Sequence, residues 1–480
     1  MVFSSLVFLF MFLVGTLTIY YIVPKSFKNA VLLLTSLIFY AWGEPFYIIV
    51  MLISTLIDYC AGLVIWKWGG NRHIRRLALI VSVVMNLSLL AVFKYSGFAF
   101  ENINAWFGTE IDASKLDFLG IPELPINTLP IGISFFTFQS MSYTIDMYRG
   151  EIEVQKNPVS FGAFVTLFPQ LVAGPIVRYS DISKELNSRT IDIDKVYEGI
   201  VRFITGMGKK VLIANSVGAL WDTVLADVRT GSPVSAATAW LGILAYTLQI
   251  YFDFSGYSDM AIGLGKMMGF TFPENFNYPY LSKSVSEFWR RWHITLGAWF
   301  RSYVYIPLGG NRKGLPRTIL NLGIVWLLTG IWHGANWTFI VWGVLYGVFI
   351  ILERLFLGKV LEKLPTLLSW LYTMLLVMLG WVLFASPDIG TAGAYIADMF
   401  GASGTLYDNT SVYLFLNYGV VLVFGIFAAT DAWKIIVEHT EKRFPAVVHA
   451  AMPICKIAVF LLCTAYLVDA SYNPFLYFNF

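Results

Sequence analysis

The stretch Leu328-Thr-Gly-Ile-Trp-His-Gly-Ala-Asn-Trp-Thr-Phe-Ile-Val-Trp-Gly-Val-Leu-Tyr-Gly347 decides how this chain is read. Apolar runs long enough to cross a bilayer flank one ionisable side chain, His333. A titratable group in hydrocarbon is costly and by default faces a cavity or a pathway. A histidine hydrogen-bonded inside a helix bundle leaves the same trace, so the rest of the chain must separate the two readings.

Composition gives the class. Of 480 residues, 57% are hydrophobic, 17% aromatic and 13% charged, against about 25% charged in soluble domains. Apolar segments of roughly 18 residues or more recur from end to end. These features predict an all-α polytopic membrane protein with roughly ten to twelve crossings, residues 1–480 forming one integral-membrane domain. The net charge of +3 says little, because the placement of Lys and Arg sets orientation. Cys60, Cys455 and Cys463 lie in or beside apolar runs without metal-ligand spacing, which argues against a disulfide framework or a zinc site.

Val2 to Val23 is almost entirely apolar, with no basic residue before it and no small-x-small site after it. It reads as a first crossing rather than a signal peptide. A helical hairpin follows, turning at Gly43-Glu44-Pro45 and ending near Trp66. The basic cluster from Lys67 to Arg76 is expected in the cytoplasm, which places the N-terminus outside. Further crossings are expected near 77–94, 129–148, 158–175, 197–221, 236–268, 318–352, 366–385, 412–430 and 454–470. The charged, proline-containing stretch 98–128 reads as an extracytoplasmic loop with short helices, and Arg178 to Lys195 as a cytoplasmic connector.

Gln249 to Gly265 is unusual for a plain crossing, because Asp253, Ser255, Ser258 and Asp259 stand inside an apolar stretch. The carboxylates either pair with Lys266, Arg290 or Arg291, or line a polar tunnel. Gly265-Lys-Met-Met-Gly269 and Gly343-Val-Leu-Tyr-Gly347 have the small-xxx-small spacing of close helix packing. From Ser286 to Gly314 the pattern is amphipathic, rich in tryptophan and basic, with Arg290, Arg291, Arg301, Arg312 and Lys313. An interfacial or re-entrant cytoplasmic helix fits it better than a simple crossing. Its cations are either positive-inside anchors or contacts for the phosphates of an anionic donor. Among the five histidines, only His293 and His333 have aromatic, Gly-rich and basic surroundings.

The pairing of Phe288-Trp-Arg-Arg-Trp-His293 with Gly330-Ile-Trp-His-Gly-Ala-Asn-Trp337 resembles the two-histidine signature of bacterial membrane-bound O-acyltransferases. Asp253-Phe-Ser-Gly-Tyr-Ser-Asp259, Phe168-Pro-Gln-Leu-Val-Ala-Gly-Pro175 and Asn473-Pro-Phe-Leu-Tyr-Phe-Asn-Phe480 extend the likeness over nearly the whole chain, with its core at about 130–350. The alginate O-acetyltransferase branch is nearest, and the D-alanyl transferases of teichoic acids are more distant. The resemblance implies a ring of tilted helices around a thin centre, pierced by a tunnel holding both histidines. It implies that His333 is catalytic and that His293 acts beside it. Candidate substrate contacts are Arg290, Arg291, Trp332, Asn336, Asp253, Ser255, Asp259, Arg312 and Lys313. It further implies no bound cofactor or metal, acetyl-CoA as donor, and residence in a bacterial plasma membrane. An extracytoplasmic O-acetyltransferase-type protein or a small acyl carrier is expected as partner, a polysaccharide as final acceptor, and no nucleic acid.

The chemistry is consistent with that resemblance. Acyl transfer from a thioester to a hydroxyl needs a base for the proton and a donor set for the oxyanion. A neutral imidazole suits the base. No Gly-x-Ser-x-Gly elbow, His-Glu-x-x-His or Walker A sequence occurs. Three alternatives stay open: D-alanyl transfer, a glycan or lipid permease using Asp253 and Asp259, and a scaffold for a secretion complex. Thioester turnover that depends on His333 separates acyl transfer from the last two.

Overall fold

Backbone in hydrocarbon must satisfy its own hydrogen bonds, so the apolar runs become helices. The structure, a computed structural model, describes residues 1–469, Asn473 and Leu476, with Leu119 represented by its backbone alone. The rest of the 473–480 motif lies outside the described residues. Among the described residues no strand forms beyond an isolated bridge between Asp117 and Pro125.

Among the described residues eight helices are long and apolar enough to cross a membrane: Ile48–Lys67, Arg72–Phe107, Ile193–Arg229, Leu315–His333, Trp337–Leu361, Thr366–Ala385, Asn409–Ala428 and Pro445–Asp469. The chain is thus a multi-pass membrane protein, and the other segments expected as crossings differ from these eight in length, continuity or charge. The 129–148 segment is a 17-residue helix, Ile133–Arg149, buried along nearly all its length. The 158–175 segment breaks into Pro158–Thr166 and Phe168–Leu171. Ala236–Met267 runs for 32 residues but carries Asp253, Asp259 and Lys266. The first apolar run gives the shorter Phe8–Ile22.

The described residues form two compact units. The first comprises Met1–Phe203 and Met260–Pro273. In it the buried Asp58 carboxylate accepts from Ser82 Oγ and from Asn86 Nδ2, the latter at 2.9 Å. Gly199 and Gly263 let two helices meet, since a Cβ on either would stand 2.6 Å from the other's carbonyl oxygen. Gly265 packs under the Phe272 ring, and Gly269 ends its helix at φ +85°. That Gly-x-x-x-Gly is therefore a helix terminus, and the inter-helix contact belongs to Gly263. Lys266 pairs with Glu198 at 2.7 Å.

The second unit comprises Ile204–Asp259 and Glu274–Phe480. It contains a helical hairpin, Leu315–His333 followed by Trp337–Leu352. A Cβ on Gly330 would stand 2.5 Å from Phe339 O, and one on Gly343 2.6 Å from Trp326 O. The second glycine motif thus serves close helix packing.

Candidate active site

His333 is the last residue of the Leu315–His333 helix and is 2% exposed. Gly334 breaks the helix, and a Cβ there would run into the Phe339 ring. Asn336 then starts the next helix: its Oδ1 accepts from Thr338 N–H at 3.0 Å and its Nδ2 donates to Pro387 O at 2.8 Å. The Asn336 side chain is therefore committed to the turn that carries His333, as an N-cap. Around the imidazole stand Trp342, Trp332 and Phe384, with ring centroids at 4.9, 5.0 and 5.3 Å. Apolar walls of this kind exclude water, which strengthens any electrostatic interaction made inside them.

His293 reaches the same place from another element. The 286–314 segment forms short helices, Val285–Arg291 and Ile294–Phe300, with His293 between them in a left-handed conformation (φ 45°, ψ 53°). A non-glycine residue there costs about 1–3 kcal/mol and persists where its surroundings over-determine it. The Glu353 carboxylate supplies one constraint, accepting from Val285 N–H at 2.7 Å and Ser286 N–H at 2.8 Å, so that it caps the first short helix. The His293 ring packs edge-on against Phe254 at 4.8 Å and against Trp332 at 6.0 Å. Trp332 therefore touches both imidazoles. His293 lies outside the membrane-crossing helices, and burial pushes its imidazole below the ordinary histidine range, favouring the neutral form.

The central carboxylates are placed differently. Asp253 pairs with Lys210 at 2.7 Å and also accepts from Leu476 N–H at 2.9 Å, and Asp259 pairs with Lys209 at 2.7 Å. The cations are thus Lys209 and Lys210, not Lys266, Arg290 or Arg291. Gly256 lies between the two carboxylates, where a Cβ would stand 2.8 Å from Gly206 O. Ser255, two residues beyond Asp253, points to roughly the opposite side at about 100° per residue. Its hydroxyl is buried with no hydrogen-bond partner among the described residues, and Ser258 Oγ accepts from Asn275 Nδ2 at 3.3 Å. The helix thus turns its acids to the lysines and Ser258 to the His293 turn.

The basic residues separate as well. A cavity of about 610 Å³ is lined by Lys283, Arg290, Tyr305, Asn311 and Arg354, among others. Three glutamates also line it, but Glu287 is held by Arg291 at 2.8 Å and Glu353 by the backbone amides of the short helix. Arg291 is therefore occupied, whereas Arg290 faces the cavity. Arg312 and Lys313 sit exposed in the following turn, where Lys313 lies against Gly309. Trp289, the neighbour of Arg290, packs edge-to-face against Trp342 at 5.4 Å, and Trp342 in turn touches His333. Lys209, Lys210, Asn275 and Glu353 were not singled out by the sequence; two adjacent lysines in an apolar run are the one available signal among them.

The membrane-bound O-acyltransferase family model matches residues 136–386. Over its whole length the chain is 41% identical to the probable alginate O-acetylase AlgI of Azotobacter vinelandii, which is also covered completely. It is 34% identical to the peptidoglycan O-acetyltransferase of Helicobacter pylori, over 84% of this chain and 80% of that protein. With the teichoic acid D-alanyltransferase of Bacillus subtilis it shares 28% identity over 53% of this chain and 68% of the relative.

Proposed function

Since the chain belongs to the membrane-bound O-acyltransferase family and is a multi-pass O-acyltransferase, we propose that it moves an acetyl group from a cytoplasmic thioester towards an extracytoplasmic polysaccharide in a bacterial cell membrane. The observation that carries this reading is the pair of buried imidazoles joined through Trp332 and walled by aromatic rings. In the step, a hydroxyl oxygen attacks the thioester carbonyl, the C–O bond forms, and the C–S bond breaks. His333 takes the hydroxyl proton as general base and returns it to the departing sulfur. The greater identity to O-acetyl-transferring relatives supports acetyl over D-alanyl.

The 610 Å³ cavity suits the phosphate end of the donor, with acetyl-CoA the expected one. Lys283, Arg290 and Arg354 line it, while two of its glutamates are already engaged. An extended pantetheine arm would then run past Trp289 and Trp342 to His333. Arg290→Gln is expected to raise the donor KM roughly tenfold with kcat little changed, the pattern of uniform binding. Arg291→Gln, whose guanidinium is held by Glu287, should leave KM unchanged. Equal donor KM values in both variants and in the parent protein would return Arg290 to an anchoring role.

The acyl group passes to a partner hydroxyl or a small carrier before reaching the polymer. Supporting this, His333 is buried among close-packed rings, where a bulky chain of sugars would have to displace them. Reconstitution tests the relay. Purified protein, donor and polymer alone should yield little acylated polymer, and addition of the extracytoplasmic partner should restore transfer. Efficient acylation without a second protein would overturn it.

A further inference from the structure

Asn275 is fully buried and is held from three directions, and its contacts identify its atoms. Its Oδ1 accepts from Thr295 N–H at 3.2 Å and from Thr295 Oγ at 2.9 Å. A backbone N–H can only donate, so the amide atom facing it must be oxygen; the flipped amide would set two donors against each other. The nitrogen of the same amide donates to Ser258 Oγ at 3.3 Å. The same Oδ1 lies 3.1 Å from His293 Nδ1. An oxygen with lone pairs only cannot donate, so the contact is a hydrogen bond only if Nδ1 carries the proton. In a neutral imidazole Nε2 then holds the lone pair.

The backbone repeats the constraint. Ile294 N–H donates to Asn275 O at 3.0 Å, and Asn277 N–H donates to Arg291 O at 2.9 Å. Both flank the left-handed turn at His293, so the 275–277 strip fixes the backbone as well as the ring. The ring also packs edge-on against Phe254 and Trp332.

We propose that Asn275 is a positioning residue that locks His293 as the Nδ1–H tautomer, so that Nε2 is presented as a proton acceptor in the acyl-transfer site. The proposal rests on the reading of His293 as part of that site. Its consequence is a division of labour: His333 takes the proton of the attacking hydroxyl, and His293 Nε2 accepts a hydrogen bond from the substrate rather than donating one.

The test reads the tautomer without relying on turnover. Full-length protein labelled with ¹⁵N-histidine, in lipid bilayers, is measured by solid-state NMR, and the difference against His293→Asn assigns the His293 ring. The expected result is a neutral ring with a protonated Nδ1 and a bare Nε2. A protonated Nε2 with a bare Nδ1, or a doubly protonated ring at neutral pH, would overturn the proposal even if no variant of Asn275 folds. Where Asn275→Ala does fold, its kcat should fall by roughly ten- to a thousand-fold with donor KM unchanged. That is below the ~10⁴ seen when an imidazole is held in the wrong tautomer in a Ser-His-Asp triad. In the His293→Asn background the same change should cost nothing further, since it acts through the ring. Additive losses would overturn it. Absence of thioester turnover in the parent protein would instead refute the functional reading, while the NMR result would still decide the tautomer.

Discussion

Replacing His333 with alanine is expected to lower acyl transfer by roughly a hundred- to ten-thousand-fold, the range for loss of a general base. The imidazole is 2% exposed and sits at the one point where the Leu315–His333 helix ends against Trp332, Trp342 and Phe384. Alanine also leaves a hole among those rings, which destabilises by an amount set by how far they collapse. His333→Gln therefore belongs beside it, because it fills most of the space but cannot act as a base near neutral pH. Both variants should bind donor with near-parental affinity and fail in transfer. A well-expressed His333→Ala protein that acylates at a near-parental rate would remove His333 from the chemistry.

The second large effect concerns stability. Lys210 and Asp253 are both nearly inaccessible and pair at 2.7 Å. Removing one partner of a buried pair leaves an uncompensated charge and costs about 3–5 kcal/mol. Lys210→Met should accordingly lower the unfolding midpoint sharply and reduce the yield of monodisperse protein. Replacing both charges is often close to neutral. The double variant Lys210→Met with Asp253→Asn, whose amide oxygen can still accept from Leu476 N–H, should recover most of the stability and retain transfer. A stable double variant without activity would make Asp253 a working part of the polar path, as a permease reading requires. The measurement is thermal unfolding in detergent, paired with donor turnover.

The signature segments were legible because their chemistry is local. A histidine between tryptophan and glycine in an apolar run, and a second in an Arg-Arg-Trp-His string, mark themselves by being expensive where they stand. Which side chains meet was not legible. Asp253 and Asp259 looked able to reach Lys266, Arg290 or Arg291, but the packing of Gly256 against Gly206 brings Lys209 and Lys210 to them instead. Arg290 and Arg291 are neighbours in sequence and diverge by about 100° on a helix, so periodicity could not say which one faces a cavity. Asn275 carries no spacing signal at all, since it acts through a loop folded back on residues 291–295. Asp58 and Lys94 stand in segments that read as ordinary crossings, yet each is buried against polar partners, Asp58 with Asn86 and Lys94 with Ser134 at 3.0 Å. Apolar segments of different kinds also looked alike. Length and hydropathy register an apolar run equally whether lipid or protein covers it, and Ile133–Arg149 and Ala236–Met267 are covered by protein.

In the proposed reaction an acyl group enters as a thioester on one face and leaves on a hydroxyl at the other. Sealed proteoliposomes holding uniformly oriented protein test it, with [¹⁴C]acetyl-CoA supplied outside the cytoplasmic face and the extracytoplasmic partner enclosed within. Label is expected on the enclosed partner with parental protein, and none with His333→Ala. Label that stays on the thioester, or reaches only acceptors placed on the donor's own side, would contradict it.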